Sequence, residues 1–507
     1  MLSSQHYFIA DAMSRTLSAK FMVLSRDPHL GAVGFYWMPL PTVTRIPFVV
    51  LMSLFDREEF AGMMTSALFA ALTIPVIVAI GRVLQQQRAA MLVVAIYALS
   101  PITMYLGGNG MSESTLGFFV ALTMWAFLKW RHTGTIQALA VLGLCLAGAV
   151  ATRYEGLVLI PVVAVAVAIS TDRLTRSQAA IVAALPAVVV FGCWTLASSL
   201  IMGDALFWWH ASAEVISRPV GARWLPADSS YPRVFGHVAF ILIALAPALL
   251  AVLAGCISAL RRWRTSLGIL GFTFAVPIVV AYQIVNASSW GTMRFFSLAP
   301  LTACIGVLWV LRAGRQQVHT RVFGMIGIGL LAVGGVTSGL LLSSTAWAQP
   351  EGEFMFFGPL FGRDAPTASE DNREFAVFTT DAEQYRQIAA DLDARLSLGE
   401  RALMDSLQAT VYLFSDHPNR IIVPEDRDFE PILSDPVGRF DYIVTLDGVA
   451  GSGNRALIDT ELLRNTEGQW VLVGDYWNAG KIHEWVPTGS VAHFVASSCC
   501  VPGPTGS

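Results

Sequence analysis

The chain has 507 residues, 54% of them hydrophobic and 14% charged, with a mean hydropathy of +0.58 and a formal net charge of −3. That is too apolar for one soluble globular domain and too long for one domain, so a multi-span membrane protein is the starting expectation. Charge is unevenly placed: from Ala346 onward the chain holds 25 of its 36 acidic residues and 11 of its 33 basic ones. Two physical environments therefore share one polypeptide.

In chain order, residues 1–59 read as a first outer loop with interfacial helices. It contains "SRDPHLGAVGFYWMPLP", Ser25 to Pro41, a charged and proline-punctuated stretch. The following "TVTRIPFVVLMSLF" is too short to span and carries Arg45 and Pro47, which suits a helix lying in the interface. An external stretch of this length with no span before it predicts a transmembrane helix upstream of Met1. Residues 60–345 read as a membrane domain with ten runs long enough for about 30 Å of hydrocarbon: 60–84, 89–106, 113–130, 136–152, 155–170, 178–202, 234–259, 267–285, 295–311 and 322–344. The two runs beside the Thr152–Gly156 break are short. Residues 346–496 alternate helix-like and strand-like runs and read as an α/β domain, with "GQWVLVGDYWNAGKIHEWVP" as a strand pair closing its sheet. The Ser, Gly and Pro-rich tail 497–507 reads as disordered.

Orientation follows from the loops. Alternate short loops are basic (Arg82 and Arg88, Lys129 and Arg131, Arg173 and Arg176, Arg261 to Arg264, Arg312 to Arg321), which assigns them to the cytoplasm. Of the 11 acids before Ala346 only Asp172 falls on that side. The first loop and the α/β domain are then extracytoplasmic.

At the outer face gather Asp11, Asp27 and His29, then Asn109 and Glu113, Arg153 and Glu155, and Arg294, together with Trp37, Trp208, Trp209, Trp224, Tyr231 and Trp290. Taken singly, each is ordinary polarity at a helix end. Together, carboxylates, arginines and aromatics suit a site that takes a hydroxylated substrate from water and an anionic, lipid-linked one from the membrane. A carboxylate can accept a hydroxyl proton, and arginine can hold a departing phosphate. No nucleotide-binding loop of the Walker or Rossmann kind is present, and the six cysteines have no metal-ligand spacing. The bilayer is an expected partner and nucleic acid is not.

Four motifs in order carry a resemblance: "ADAMSRT", "SRDPHLGAVGFYWMPLP", "LSPITMYLGGNGMSESTLGFFVALTMWAFLKW" and "ATRYEGLVLIP", from about Ala10 to Arg173. The chain resembles the GT-C fold integral membrane glycosyltransferases, a superfamily that includes protein O-mannosyltransferases and aminoarabinose transferases. That resemblance implies a multi-span α-helical membrane protein with a C-terminal extracytoplasmic α/β domain. It further implies inverting transfer from a polyprenyl-phosphate sugar to a glycan, lipid or protein acceptor. By it, Asp11 is the catalytic base and Asp27 the other candidate acid; His29, Glu113, Arg153, Glu155 and Arg294 become substrate-binding residues. Tyr154 stands where the family motif has proline. Metal use differs within the superfamily: a divalent cation is compatible, but the sequence shows no ligand set.

A secondary transporter would place ionisable or helix-breaking features near the bilayer midplane and often shows an internal repeat. No repeat is evident, and the charges lie at helix ends. A non-catalytic, membrane-anchored saccharide-binding protein is the remaining alternative.

Overall fold

Each of the ten apolar runs forms helix, and prolines decide where two of those helices break. The computed structural model describes residues 7–171, 175–211, 231–259, 263–285, 293–315, 317–343, 379–396, 399–404, 409–434, 439–445, 470–475 and 481–485. Asp172, Trp224, Trp290, Asp405, Asp447 and the tail 497–507 lie outside them, as does the side chain of Tyr231.

The first unit comprises Met1–Val23 and His29–Ala382. It begins with β1 (Tyr7–Ile9), paired antiparallel with β2 (Thr379–Asp381), and runs directly into α1 (Ala10–Leu24). Pro39 and Pro41 then bracket the start of α2 (Leu40–Ser53), where proline's missing N–H is not needed. The remaining helices are α3 (Ala61–Val83), α4 (Gln87–Leu99), α5 (Pro101–Gly108), α6 (Glu113–Thr133), α7 (Ile136–Thr152), α8 (Leu159–Ser170), α9 (Arg176–Met202), α10 (Tyr231–Leu245), α11 (Ala248–Ser258), α12 (Trp263–Val285), α13 (Leu298–Ala313) and α14 (Val318–Leu342).

Among the described residues five helices are long and apolar enough to cross a bilayer, and seven spans result if each bent pair counts as one. The runs 89–106 and 234–259, expected as single spans, are bent by 63° at Pro101 and by 92° near Pro247. Ser100 before Pro101 is extended (φ −67°, ψ 128°), the conformation that a following proline favours over the helical one. Helix α14 packs on both breaks through its glycines. A Cβ on Gly334 would lie 2.8 Å from the Leu245 carbonyl, and one on Gly339 would lie 3.0 Å from Pro101. Thr337 donates its hydroxyl to the Ala244 carbonyl, which lies in the last turn before the second break.

Helix directions explain the alternation of loop charge. The loop after α3 meets the end of α13, where Arg312 and Arg315 donate to Gln85 Oε1 at 2.7 and 3.1 Å. Near the end of α6, Arg131 donates to the Ser170 carbonyl at 3.0 Å. The opposite ends of α3 and α6 carry Gly62 and Glu113, beside the residues described next.

The second unit comprises Leu24–Pro28 and Glu383–Ser507. It holds α15 (Ala382–Leu396), β3 (Ala402–Met404), α16 (Ala409–Phe414), β4 (Ile421–Ile422), α17 (Phe429–Ser434), β5 (Tyr442–Thr445), β6 (Trp470–Asp475) and β7 (Lys481–Trp485). The sheet order is β4-β3-β5-β7-β6: the first three strands are parallel, and β7 pairs antiparallel with both β5 and β6. Leu403, Ile422, Phe429, Ile432, Phe440 and Ile443 form its core. The short segment Leu24–Pro28 belongs here through charge. Arg26 donates to Asp426 at 2.9 Å and to Asp428 at 3.0 Å, and Asp27 accepts the Arg427 backbone N–H at 3.0 Å.

Two glycines give opposite expectations for the same substitution. A Cβ on Gly156 would sit 2.5 Å from the Ala149 carbonyl oxygen, so Gly156→Ala should force the turn after α7 apart and cost about 2 kcal/mol. Gly134, left-handed at φ 68° with open space around it, should lose only about 1 kcal/mol as alanine. Thermal unfolding midpoints of the detergent-solubilised variants measure the difference.

Candidate functional site

Local folding places the site residues at helix ends. Asp11 lies in the first turn of α1 and Glu113 in the first turn of α6, where a carboxylate complements the helix dipole. Arg153 ends α7 in an extended conformation (φ −154°, ψ 153°), and Glu155 follows in a short 3-10 turn. Arg294 lies in another 3-10 turn, Met293–Phe296, ahead of α13.

Arg153 is the hub. Its Nη1 donates to Glu113 Oε1 at 2.8 Å and to Ser112 Oγ at 3.1 Å, while Nη2 donates to Glu155 Oε1 at 2.6 Å. The side chains of Arg153 and Glu113 are 12% and 2% exposed, so this is a charge network withdrawn from water. Arg294 Nη1 donates to Asp11 Oδ2 at 3.1 Å, and the guanidinium lies 5.2 Å from the ring centre of Phe295. Arg15, one turn after Asp11, is buried and rests over the Trp37 ring at 4.2 Å.

The structure therefore brings together Asp11, Glu113, Arg153, Glu155 and Arg294 in one unit. Asp27 belongs with the C-terminal unit, where its carboxylate is ion-paired with Arg427. His29 precedes the 3-10 turn Leu30–Val33, its ring packed against Gly31. Sequence reasoning did not single out Arg15, whose only signal is its position four residues after Asp11, on the same helix face. It used Arg45 only as a reason that the run could not span, although Arg45 is one of the most deeply buried side chains of the unit.

Electrostatics favour an ionised Asp11. Burial by itself would raise its pKa, but the positive charges of Arg294, Arg15 and Arg153 outweigh burial and hold the carboxyl below the ordinary aspartate value. Its side chain remains 36% exposed, so the charge is held yet reachable. Among the described residues, Arg15, Arg45, Arg153 and Arg294 stand around Asp11, Glu113 and Glu155. Among the described residues no group of three or more His, Cys, Asp and Glu converges.

The aromatics form walls. Phe35 stacks on Trp194 at 4.7 Å, and Tyr154 stacks on Trp208 at 3.8 Å and 13°. The second pair accounts for the tyrosine standing where the related motif has proline: its ring has a partner in the helix turn that precedes residue 212.

With this geometry in place, comparison with known proteins is informative. The fold matches that of ArnT from Cupriavidus metallidurans in the apo state over 94% of both chains, with a TM-score of 0.56 and 12% identity. The likeness is one of fold, that of a multi-span helical membrane protein. By sequence, residues 47–195 match the family model described as dolichyl-phosphate-mannose-protein mannosyltransferase. Two structures of the Archaeoglobus fulgidus oligosaccharyltransferase align over 87% of this chain and 64 and 65% of theirs, at 10% identity and TM-scores of 0.40 and 0.41. No curated protein matches the chain. The family segment includes Glu113, Arg153 and Glu155, while Asp11, Asp27, His29 and Arg294 fall outside it.

Removing the hub should expose its cost. Arg153→Met leaves two carboxylates withdrawn from water without their partner and should lower stability by about 3–5 kcal/mol. Adding Glu113→Gln should recover part of that loss, because one of the two stranded charges is gone. Thermal unfolding of the single and double variants in detergent reads both effects.

Proposed function

We propose that the protein transfers a sugar from a polyprenyl-phosphate donor to an acceptor hydroxyl at the outer face of the membrane, with inversion, and that Asp11 is the general base. The observation that carries this reading is a carboxylate kept ionised by arginines yet still reachable from outside. The family segment and the fold support a lipid-linked donor.

In this scheme the acceptor oxygen forms a bond to the anomeric carbon while the bond from that carbon to the phosphate oxygen breaks. Asp11 takes the hydroxyl proton, and the polyprenyl phosphate leaves with the bonding electrons. Attack on the face opposite the phosphate inverts the anomeric centre. Negative charge builds on the leaving phosphate, and the arginines around Asp11 stabilise it. Glu113 and Glu155 hold Arg153 in place as it does so. The half-buried rings of Tyr154 and Trp208 suit contact with a sugar ring. Acceptors compatible with this chemistry are hydroxyls of a glycan, a lipid or a protein.

The test is transfer of labelled mannose, and in parallel a labelled pentose, from polyprenyl phosphate by membranes containing the protein. Asp11→Asn should reduce the rate by about 10²–10⁴-fold, the range for loss of a general base. Asp27→Asn, whose carboxylate is engaged by Arg427, should reduce it less than fivefold. Full activity in Asp11→Asn would remove Asp11 from the chemistry.

The pH profile supplies a second check. Transfer needs ionised Asp11, which is present above its pKa and lost as pH falls through it. Because that pKa is depressed, the acid limb should lie below the 3.8 of an ordinary aspartate. Arg294→Met removes the largest of the charges that depress it and should move the limb to higher pH. A limb that stayed in place would show that Arg294 does not tune the base.

A further inference from the structure

Arg45 lies in none of the motifs that pointed to the site, yet it comes first by volume among the fully buried side chains, at 1% exposure. We propose that Arg45 is a positioning residue for Asp11: its guanidinium fixes the first turn of α1 against the turn at Gly110, and so sets where Asp11 stands relative to Glu113 and Arg153. The proposal rests on the reading of Asp11 as the base.

Three elements meet at this guanidinium. Nη1 donates to the Ala12 carbonyl at 2.7 Å and to Thr16 Oγ1 at 3.4 Å, both on α1. Nη2 donates to the Gly110 carbonyl in the loop between α5 and α6. The first turn of α3 closes the junction: a Cβ on Gly62 would lie 3.6 Å from the Arg45 guanidinium carbon and 3.1 Å from Thr16 Oγ1. Gly110 is left-handed at φ 75°, and a Cβ there would lie 3.0 Å from that of Ala12. Glycine at both positions lets the backbones approach closely enough for one side chain to bridge them.

From this junction the chain leads directly into the charge network. Ser66 donates to the Met111 carbonyl at 2.8 Å, and the Met111 N–H donates to Asn109 Oδ1 at 2.9 Å, which fixes the loop. The next two residues, Ser112 and Glu113, are those that Arg153 holds. Arg45 thus stands one residue from Asp11 on one side and three residues from Glu113 on the other. Burying a guanidinium carries a desolvation cost that an apolar side chain of similar volume would not. The two carbonyls need donors from a single planar fork, which lysine cannot supply with the same geometry.

A displacement of about 1 Å in a reacting group can cost about 10²-fold in rate. Arg45→Met should therefore lower kcat for transfer from polyprenyl-phosphate mannose ten- to a hundredfold with the donor KM within threefold, and Arg45→Lys should recover part of the loss. A readout independent of transfer is the reaction of a membrane-impermeant maleimide with Asp11→Cys, with the Asp11→Asn chain as background. Adding Arg45→Met, or Arg45→Lys if the methionine variant does not fold, should raise the labelling rate at least fivefold as the first turn of α1 loosens. Unchanged labelling in a folded chain, or a kcat within twofold of the parent, overturns the positioning role. Activity in Asp11→Asn alone overturns the base assignment instead, and the labelling then decides Arg45.

Discussion

An arginine placed between two carboxylates, away from water, is the constraint on which the rest of the site depends. Arg153 is held by Glu113 and Glu155, and the Glu113 side chain, at 2% exposure, would be buried without its charged partner if Arg153 were removed. Satisfying that mutual need requires the end of α7 and the start of α6 to stand side by side. It also requires the chain to leave α7 in an extended residue before turning again. The close approach of Gly156 to Ala149 makes that turn tight enough. Once these helix ends are fixed, Arg294 and the first turn of α1 have a charged surface to meet, and Asp11 takes its place among arginines.

The site's second property is an asymmetry between its carboxylates. Glu113 and Glu155 are committed to Arg153 through short, charge-assisted bonds. The Asp11 carboxylate accepts from Arg294 at 3.1 Å, and its side chain is the more exposed. One fold thus separates carboxylates committed to a buried arginine from one that stays open to solvent. Electrostatics alone would not make the distinction, because all of them face arginines; solvent access does.

Much of the architecture was legible in the sequence because membrane burial imposes a simple rule: long apolar runs between basic and acidic loops become helices. All ten runs are helical, although among the described residues only five helices, or seven spans counting the bent pairs, are long and apolar enough to cross a bilayer, and the α/β character of the C-terminal part followed from its alternating pattern. The bends at Pro101 and near Pro247 were not read from the apolar runs, since a run of hydrophobic residues looks continuous whether or not its helix turns. The site was partly legible for a related reason. Glu113, Arg153, Glu155, Asp11 and Arg294 are polar residues at helix ends, which hydropathy marks. Arg45 sits within an apolar helix, where its charge reads as an exception to hydrophobicity. Only the backbone carbonyls of Ala12 and Gly110, which no side-chain pattern reveals, show what it does.

Asp27 illustrates the opposite limit. In sequence it stands beside the proline-punctuated segment and only sixteen residues from Asp11, so proximity along the chain suggests shared work. In the fold, Arg26 and Asp27 meet Asp426, Arg427 and Asp428, so that each charge of the short segment faces its opposite in the C-terminal unit. The arrangement has a physical logic of its own. Asp426 is nearly fully buried and would be an unpaired charge without Arg26, while Arg427 is largely exposed and gains from Asp27 only what a surface pair provides. The stretch Ser25 to Pro41 therefore divides its labour. Its charged beginning completes the C-terminal unit, and its aromatic end, through Trp37 beneath Arg15 and Phe35 on Trp194, lines the unit that carries Asp11.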